Sequence, residues 1–405
     1  MAGVREQLRR LGLDPLEVRR ANLYGTEERN VTHYGMPLED NILAPLIDSL
    51  ALSARYRERR AAIAHWNATN PVITRGLALT PVKFGISFTA TQLNQAGALV
   101  HVYTDGSVLL NHGGTEMGQG LHTKVAQIVA EALGLPLSNV RVSASDTARV
   151  PNASATAAST GTDLNGRAAQ LAAIQVRERL ARFVAELDGC AAAEVRFEQA
   201  QVVSPKARRA WKEVVAAAYS ARIQLWSDGY YRTPKIHYDP RTLTGRPFYY
   251  FAYGAACTEV AIDQLTGESR VLAVDILHDV GRSINPALDI GQIEGGFIQG
   301  MGWLTSEELV WDAQGRLLTH GPSSYKIPSA GDLPAEFRVT LWPEANREDN
   351  VYGSKAVGEP PLMLAISVWE ALRDAVAQAR GDGLPVRLDA PATPERLLRA
   401  LGGLD

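Results

Sequence analysis

The sequence predicts an α+β protein in which a helical amino-terminal segment precedes two α/β halves. Apolar residues first recur at helical spacing, and from Val72 onward their period changes to two, which is typical of strands. In each half, a predicted β-hairpin is followed by a polar, glycine-containing loop and then by a helix. We expect a helical segment at 1–71 and α/β halves at 72–247 and 248–405. Because no low-complexity linker separates them, we expect them to pack as one body.

Composition indicates a globular protein and argues against nucleic acid as a partner. The chain has 405 residues, of which 46% are hydrophobic, and its 41 basic and 44 acidic residues give a net charge of -3. At about 150 residues per domain, this length suggests two or three packed units. A near-neutral balance provides no broad basic surface for a phosphate backbone, so we expect no nucleic-acid binding.

Membrane insertion and cysteine-based metal sites are also not expected. Apolar runs such as 362–368 are far shorter than the roughly 20 residues that cross a bilayer. The start of the chain is charged from its fifth residue and lacks the apolar centre of a signal peptide, so we expect a cytoplasmic protein. Cys190 and Cys257 are too few to hold an iron–sulfur cluster, and we expect both to be packed free thiols.

Helices dominate the predicted amino-terminal segment, and strands follow. Asp14 and Pro15 form a typical helix start, as N-cap and first-turn proline. Asp105-Gly106 is typical of a hairpin turn. The predicted helices of this region cover 4–13, 16–23 and 42–66. The predicted strands cover 73–80, 82–88, 98–103 and 107–110.

The remaining chain alternates glycine-containing loops with helices and strands. Predicted helices cover 121–133, 163–183, 206–220, 289–304 and 362–378, and a terminal helix begins at Thr393-Pro394. Predicted strands cover 139–144, 248–262 and 269–279. Common signatures are absent: the 113–118 glycine spacing lacks the lysine of a phosphate-binding loop, and no histidine pair has zinc-site spacing.

Three loops of small, hydrogen-bonding residues stand directly before helices, at 113–120, 151–162 and 279–292. Free N–H groups at a helix start bind anions, and the lack of bulky side chains lets a flat polar ligand approach the backbone. Together the loops could hold a phosphate-bearing cofactor. Any one of them could also be an ordinary tight turn or helix cap.

Glu359 is the most distinctive carboxylate because it lies between Gly358 and two prolines, at the start of the predicted helix 362–378. The prolines restrict the backbone, and a carboxylate interacts favourably with the positive end of a helix. A fixed, ionised carboxylate suits a general base. The same position suits a charge that only stabilises the helix, and both interpretations stay open.

Phe84 and Phe88 are four residues apart in a predicted strand, so they face the same side. Such a face usually belongs to the core. Polar residues follow Phe88, however, among them Thr89 and Asn94, so this strand end could open onto a pocket.

Five segments resemble the carboxy-terminal half of the molybdenum subunit in the xanthine dehydrogenase and aldehyde oxidase family. They occur in the family's order and span nearly the whole chain. They are Lys-Phe-Gly-Ile-Ser-Phe at 83–88, Gly-Gly-Thr-Glu-Met-Gly-Gln-Gly-Leu-His-Thr-Lys at 113–124, Pro-Asn-Ala-Ser-Ala-Thr-Ala-Ala-Ser at 151–159, Gly-Gln-Ile-Glu-Gly at 291–295 and Ser-Lys-Ala-Val-Gly-Glu-Pro-Pro-Leu at 354–362.

The resemblance implies a molybdopterin-binding domain of this family and a hydroxylase that oxidises hypoxanthine and xanthine to xanthine and urate. A molybdenum-bound hydroxide would attack the ring carbon while hydride moves to a molybdenum sulfide, and Glu359 would deprotonate the hydroxide. No side chain of this chain would ligate the metal. Cofactor contacts are implied for Gln119, Ala157, Ala158, Ser159, Thr162 and Gln292. Substrate contacts are implied for Phe88, which would stack on the purine, and for Thr89 and Leu93.

The resemblance also implies partners. The family's upstream domain carries another cofactor motif, a second stacking phenylalanine and an arginine that orients substrate, and none of these is found here. Iron–sulfur and FAD modules that pass electrons to NAD would likewise lie on partner chains. We therefore expect a hetero-oligomer, active with the upstream half, on which segment 1–71 would pack. An aldehyde or N-heterocycle oxidoreductase and an inactive truncated fragment are the alternatives.

Overall fold

The computed structural model describes residues 12–150 and 152–403. The amino-terminal segment forms three helices, α1 (Pro15–Ala21), α2 (Leu43–Ser53) and α3 (Tyr56–Thr69). Asp14 caps α1 as predicted, since its carboxylate accepts a hydrogen bond from the Leu16 N–H at 2.7 Å. The helix predicted at 42–66 is interrupted, because Arg55 adopts a left-handed conformation (φ 52°) that ends α2 and redirects the chain. The helix predicted at 4–13 falls mostly outside the described residues.

A four-stranded sheet in the order β1-β11-β12-β13 forms the centre of the molecule. Its strands are β1 (Ile73–Ile86), β11 (Tyr250–Asp263), β12 (Ser269–His278) and β13 (Glu336–Leu341). Alternate residues face opposite sides, so Leu77, Leu79 and Phe251 pack under α1 to α3, whereas Ala78 and Ala256 contribute to the core on the other side. Helices α7 (Pro286–Thr305), α8 (Ile366–Arg380) and α9 (Pro394–Leu401) cover that other side. Both faces of the sheet are therefore buried.

Strand β1 departs from the predicted organisation. We placed it in the first half, at 72–247, but it pairs antiparallel with β11 along its whole length and so belongs to the sheet of the second half. It is also one strand where two were predicted, continuous through Pro81. The proline is tolerated because β1 is an edge strand, where one N–H can face away from the sheet.

The second sheet has the order β4-β3-β2-β8 and packs on two helices. It comprises β2 (Gln95–Val102), β3 (Val108–His112), β4 (Val140–Val142) and β8 (Trp226–Arg232), and the helices are α4 (Leu121–Leu133) and α5 (Gly161–Asp188). Residues of β2 alternate between buried and half-buried, as expected for a sheet covered on one face. Gly229 lets α5 lie close to β8, since a Cβ there would be 2.0 Å from the Ala168 carbonyl oxygen.

Short elements complete the chain. Small sheets are formed by β5 (Arg196–Glu198), β6 (Gln201–Val203) and β7 (Arg208–Ala210), and by β9 (His237–Asp239) and β10 (Thr244–Arg246); α6 (Trp211–Ser220) lies between β7 and β8. The helix predicted from 206 begins only at Trp211, because 208–210 pairs as a strand. In the part of the chain that is described, no helix has the length and apolar character needed to cross a membrane.

Candidate active site

A cavity of about 360 Å³ brings together all three loops singled out in the sequence, and a fourth segment, 354–359, closes it. Each loop contributes several lining residues. Those lining residues are Met117 and Gln119 from the first loop, Thr156, Ala157, Ala158, Ser159, Gly161 and Thr162 from the second, Ile284, Asp289 and Gln292 from the third, and Ser354, Lys355, Ala356, Val357, Gly358 and Glu359 from the fourth; Leu121, Lys124 and Asp163 complete the walls. The cavity thus lies where the two halves meet.

Glu359 lies at the edge of this cavity, and its side chain is exposed. Its carboxylate oxygen Oε2 accepts a hydrogen bond from the Ser159 hydroxyl at 2.8 Å. The segment that follows is first a short 3₁₀ helix, Pro360–Ala365, because its two prolines lack N–H groups, and α8 begins only at Ile366. Among the described residues the carboxylate bonds no amide of this helix, so the geometry argues against a simple capping role.

The second loop leads into an open helix start. Thr160, the N-cap of α5, forms no side-chain capping bond, and the N–H groups of Gly161, Thr162 and Asp163 find no acceptor within the described chain. All three residues line the cavity. Aligned peptide dipoles give such a helix end about half a positive charge. The start of this 28-residue helix is therefore suited to an anionic group.

We expected the N–H groups of the first loop to bind a cofactor anion, but they bind a carboxylate of the same loop. The Glu116 carboxylate accepts backbone hydrogen bonds from Gly118 (2.9 Å), Gly120 (3.0 Å) and His122 (2.9 Å). Partial burial raises the pKa of Glu116, but these three donors outweigh it and hold the pKa below its ordinary value. The start of α4 is thus already occupied. Gln119 lines the cavity, yet its amide bonds Thr115 and Met117 of its own loop, at 2.9 Å and 2.5 Å.

Side chains of the third loop likewise cap the start of α7, the helix that follows it. Asn285 accepts a hydrogen bond from the Leu288 N–H at 3.1 Å, and Ser283 donates to Asp289 at 2.5 Å. Asp289 also pairs with Lys124 of the facing helix α4, and both are buried in the cavity wall. The pair joins the two halves and leaves no unpaired charge on Lys124. Gln292 lies one turn beyond Asp289, on the same side of α7, and its half-buried side chain faces the cavity.

Buried side chains hold the fourth segment in place. The Tyr250 hydroxyl accepts the Ala356 N–H at 2.8 Å and donates to Asp163 at 2.6 Å, and Asn350 donates to the other Asp163 oxygen at 2.8 Å. Burial raises the pKa of Asp163 to about 6, although these bonds and the charge of Lys124 oppose the shift. This relay ties 354–359 to the first turn of α5, directly beneath the cavity.

Lys355 anchors the same segment from the opposite side. Its buried ammonium group donates to Asp279 at 2.6 Å, to the Phe251 carbonyl oxygen at 3.0 Å and to Asp40 at 3.3 Å. Burial raises the pKa of Asp279, and the Lys355 charge acts against that shift. The ion pair connects the strand end at Asp279 to the loop that carries Glu359.

The predicted substrate contacts lie apart from this group. Strand β1 ends at Ile86, so Phe88 does not share a strand face with Phe84, which packs in the core. Phe88, Thr89 and Leu93 line no wall of the cavity in the described part of the chain. Asn94 fixes their loop, because its side chain accepts the Phe88 N–H at 2.8 Å and donates to the Phe88 carbonyl oxygen at 2.9 Å. Any role in substrate binding stays a prediction.

Lys124, Asp163 and Asp289 also belong to the site, although no local sequence pattern marks them as site residues. Lys124 closes the 113–124 motif, and the two aspartates occupy the first turns of α5 and α7, a position that local patterns attribute to helix stabilisation alone. Their partners lie far away along the chain: Lys124 and Asp289 are 165 positions apart. Only the tertiary structure identifies them as parts of the cavity wall.

The site as a whole fits a flat, phosphate-bearing cofactor such as molybdopterin. Backbone and small side chains of 156–162 form one wall, and the uncapped start of α5 provides the donors that a phosphate requires. Within the described residues, no group of three or more His, Cys, Asp or Glu side chains could hold a metal ion.

Comparison with known proteins agrees with this assignment. Residues 49–334 match the family model described as a molybdopterin cofactor-binding domain. Over 97% of its length the chain is 46% identical to the xanthine dehydrogenase/oxidase of Gallus gallus, and over 96% it is 44% identical to aldehyde oxidase 1 of Cavia porcellus. It spans 28% of the length of each of these relatives.

Solved structures show the same fold. Quinoline 2-oxidoreductase from Pseudomonas putida 86 superposes with a TM-score of 0.84 at 27% identity, covering 98% of this chain and 50% of that one. The aldehyde oxidoreductase of Desulfovibrio desulfuricans superposes with a TM-score of 0.78 at 25% identity, over 98% of this chain and 39% of that one. The chain therefore belongs to the molybdopterin cofactor-binding domain family, within the molybdenum hydroxylases that include xanthine dehydrogenases and aldehyde oxidases.

Proposed function

We propose that this chain forms one side of the active site of a molybdenum hydroxylase that converts hypoxanthine to xanthine and xanthine to urate. The observation that carries the proposal is the position of Glu359 at the edge of a cavity that all three small-residue loops share. The 46% identity to xanthine dehydrogenases favours a purine substrate. The bound cofactor would supply the hydroxylating oxygen and accept two electrons from the substrate.

Each residue of this chain would have a distinct task. Glu359 would accept the proton released as the oxygen becomes nucleophilic. Gly161, Thr162 and the backbone of Ala157 to Ser159 would hold the phosphate and pterin, with Gln119 and Gln292 at the remaining walls. Phe88 would stack on the purine, with Thr89 and Leu93 beside it; since these three lie off the cavity, that pocket would be completed by another chain or domain.

The rest of the enzyme would come from partner modules. The chain spans only 28% of its relatives' length, so we assign the upstream half of the molybdenum subunit, the iron–sulfur clusters and FAD to other parts of a hetero-oligomer. Electrons would leave through these modules to NAD. We further assign the enzyme to purine catabolism in the cytoplasm.

A second candidate is an oxidoreductase for aldehydes or N-heterocycles. The observation that favours it is the 44% identity to an aldehyde oxidase. The third candidate is an inactive fragment that retains only the surfaces needed for assembly. Purified complete enzyme assayed with xanthine, an aromatic aldehyde and quinoline separates these candidates by their relative kcat/KM.

Glu359→Gln tests the proposed base. The substitution keeps the size of the side chain and removes its ability to take up a proton, so kcat should fall about 10²- to 10⁴-fold in the complete enzyme. Molybdenum content should stay at the wild-type level, which separates lost chemistry from lost cofactor. Near-normal turnover would return Glu359 to a purely structural role.

A further inference from the structure

The hydroxyl group of Ser159 makes two hydrogen bonds to the same residue. It accepts the backbone N–H of Glu359 at 2.8 Å and donates its proton to Oε2 of the Glu359 carboxylate at 2.8 Å. One bond fixes the backbone of Glu359 and the other fixes its side chain. An exposed glutamate without such a partner would sample several rotamers, so this hydroxyl restricts where the carboxylate can lie.

The backbone of the loop that carries Ser159 is strained where it contacts Glu359. Ala158 and Ser159 both adopt left-handed conformations, with φ of 52° and 58°, which are unfavourable for residues that have a Cβ. Glycine at 358 gives the hydroxyl room, because a Cβ there would lie 3.2 Å from Ser159 Oγ. The two segments therefore approach each other closely at this point, and the short serine side chain spans the gap.

We propose that Ser159 is a positioning residue that aims the Glu359 carboxylate into the cavity. Its hydroxyl proton is directed at Oε2, and no described residue donates to Oε1, so Oε1 keeps both of its lone pairs available to accept a proton. This assignment rests on the proposed role of Glu359 as the base. It differs from the cofactor contact expected for Ser159, since the only proton of the hydroxyl is directed at Glu359.

Two substitutions distinguish the effect of the Ser159 hydroxyl on activity from the effect of the backbone conformation. Ser159→Ala removes the hydroxyl and keeps the Cβ, whereas Ser159→Gly removes the hydroxyl and relieves the left-handed strain. In the complete enzyme we expect both variants to lose roughly 10- to 100-fold in kcat, with KM and molybdenum content close to wild type. Full kcat in Ser159→Gly would overturn the proposal, because it would assign the effect in Ser159→Ala to backbone strain.

Amide hydrogen exchange gives a readout that does not depend on turnover. Pro360 and Pro361 carry no N–H, so Glu359 contributes the last exchangeable amide of a peptide that ends at Pro361. Loss of the Ser159 acceptor should speed exchange at Glu359 in both variants, with or without bound cofactor. Unchanged exchange at this amide would contradict the proposed clamp.

Ser204 provides a matched control far from the cavity. Its hydroxyl also donates to a carboxylate, Asp188 at 2.6 Å, and accepts a backbone N–H, that of Ala207 at 3.0 Å. Ser204→Ala should lower stability while leaving kcat unchanged. If Glu359→Gln is inactive and both Ser159 variants are fully active, only the positioning role fails; if Glu359→Gln is active, the proposed base fails first.

Discussion

Asp163 offers a quantitative test of the buried relay beneath the cavity. Its buried carboxylate accepts hydrogen bonds from Tyr250 and Asn350, and burial raises its pKa from an ordinary value of 3.8 to about 6. Because the folded state holds the proton more tightly than the unfolded state, Asp163 stabilises the fold most at low pH. That contribution is fully present below pH 3.8 and is lost as the pH rises through about 6.

The size of the expected change in the free energy of unfolding follows from the pKa shift of Asp163. A difference of about two pKa units corresponds to about 3 kcal/mol, of which about 2 kcal/mol is lost between pH 4 and pH 7. Asp163→Asn cannot ionise and should not show this loss. Relative to wild type, the free energy of unfolding of the variant should therefore increase by about 2 kcal/mol from pH 4 to pH 7.

Urea unfolding of both proteins at pH 4, 5, 6 and 7 measures this difference. Any pH-independent effect of the altered hydrogen bonds cancels when the four values are compared. Titrations of other groups are shared by both proteins and cancel as well. A wild-type-to-variant difference that stays constant across the range would refute the reasoning, because Asp163 would then titrate alike in both states.

Two further predictions concern Lys355 and Phe88. Lys355→Met leaves Asp279 buried without its cation and should lower the free energy of unfolding by about 3 to 5 kcal/mol in chemical denaturation. Lys235 is the control, because its side chain is exposed and its partner Glu348 also pairs with Arg246, so Lys235→Met should cost less than about 1 kcal/mol. Equal losses would show that burial does not govern the Lys355 contact. Phe88→Ala should weaken purine turnover in steady-state kinetics of the complete enzyme, and unchanged kcat/KM would exclude stacking on the substrate.

Local sequence patterns predicted helices and turns correctly where glycine and short polar side chains determine the backbone conformation. The predicted helix 121–133 matches α4 because Gly120 and Gly134 flank it in left-handed conformations, with φ of 75° and 68°. The Asp105-Gly106 hairpin is also confirmed, since the Asp105 side chain accepts the Ser107 N–H at 2.9 Å. In each case the decisive interaction spans only a few residues.

Long-range contacts could not be derived in the same way. Strand β1 was assigned to the first half because it is adjacent to it in sequence, whereas its partner β11 begins at Tyr250. The three loops were correctly grouped, but the anion-binding capacity of each was not predicted: Glu116 accepts N–H groups at the start of α4, Asn285 caps α7, and the first N–H groups of α5 have no side-chain acceptor in the described chain. Which helix start is free depends on side-chain rotamers that spacing does not determine.

Anomalous diffraction at the molybdenum edge, from crystals of the complete enzyme, tests the central claim most directly. We expect one molybdenum peak inside the cavity bounded by 156–162 and 354–359, on the side towards Glu359. A molybdenum peak elsewhere, with this cavity filled only by solvent, would contradict it.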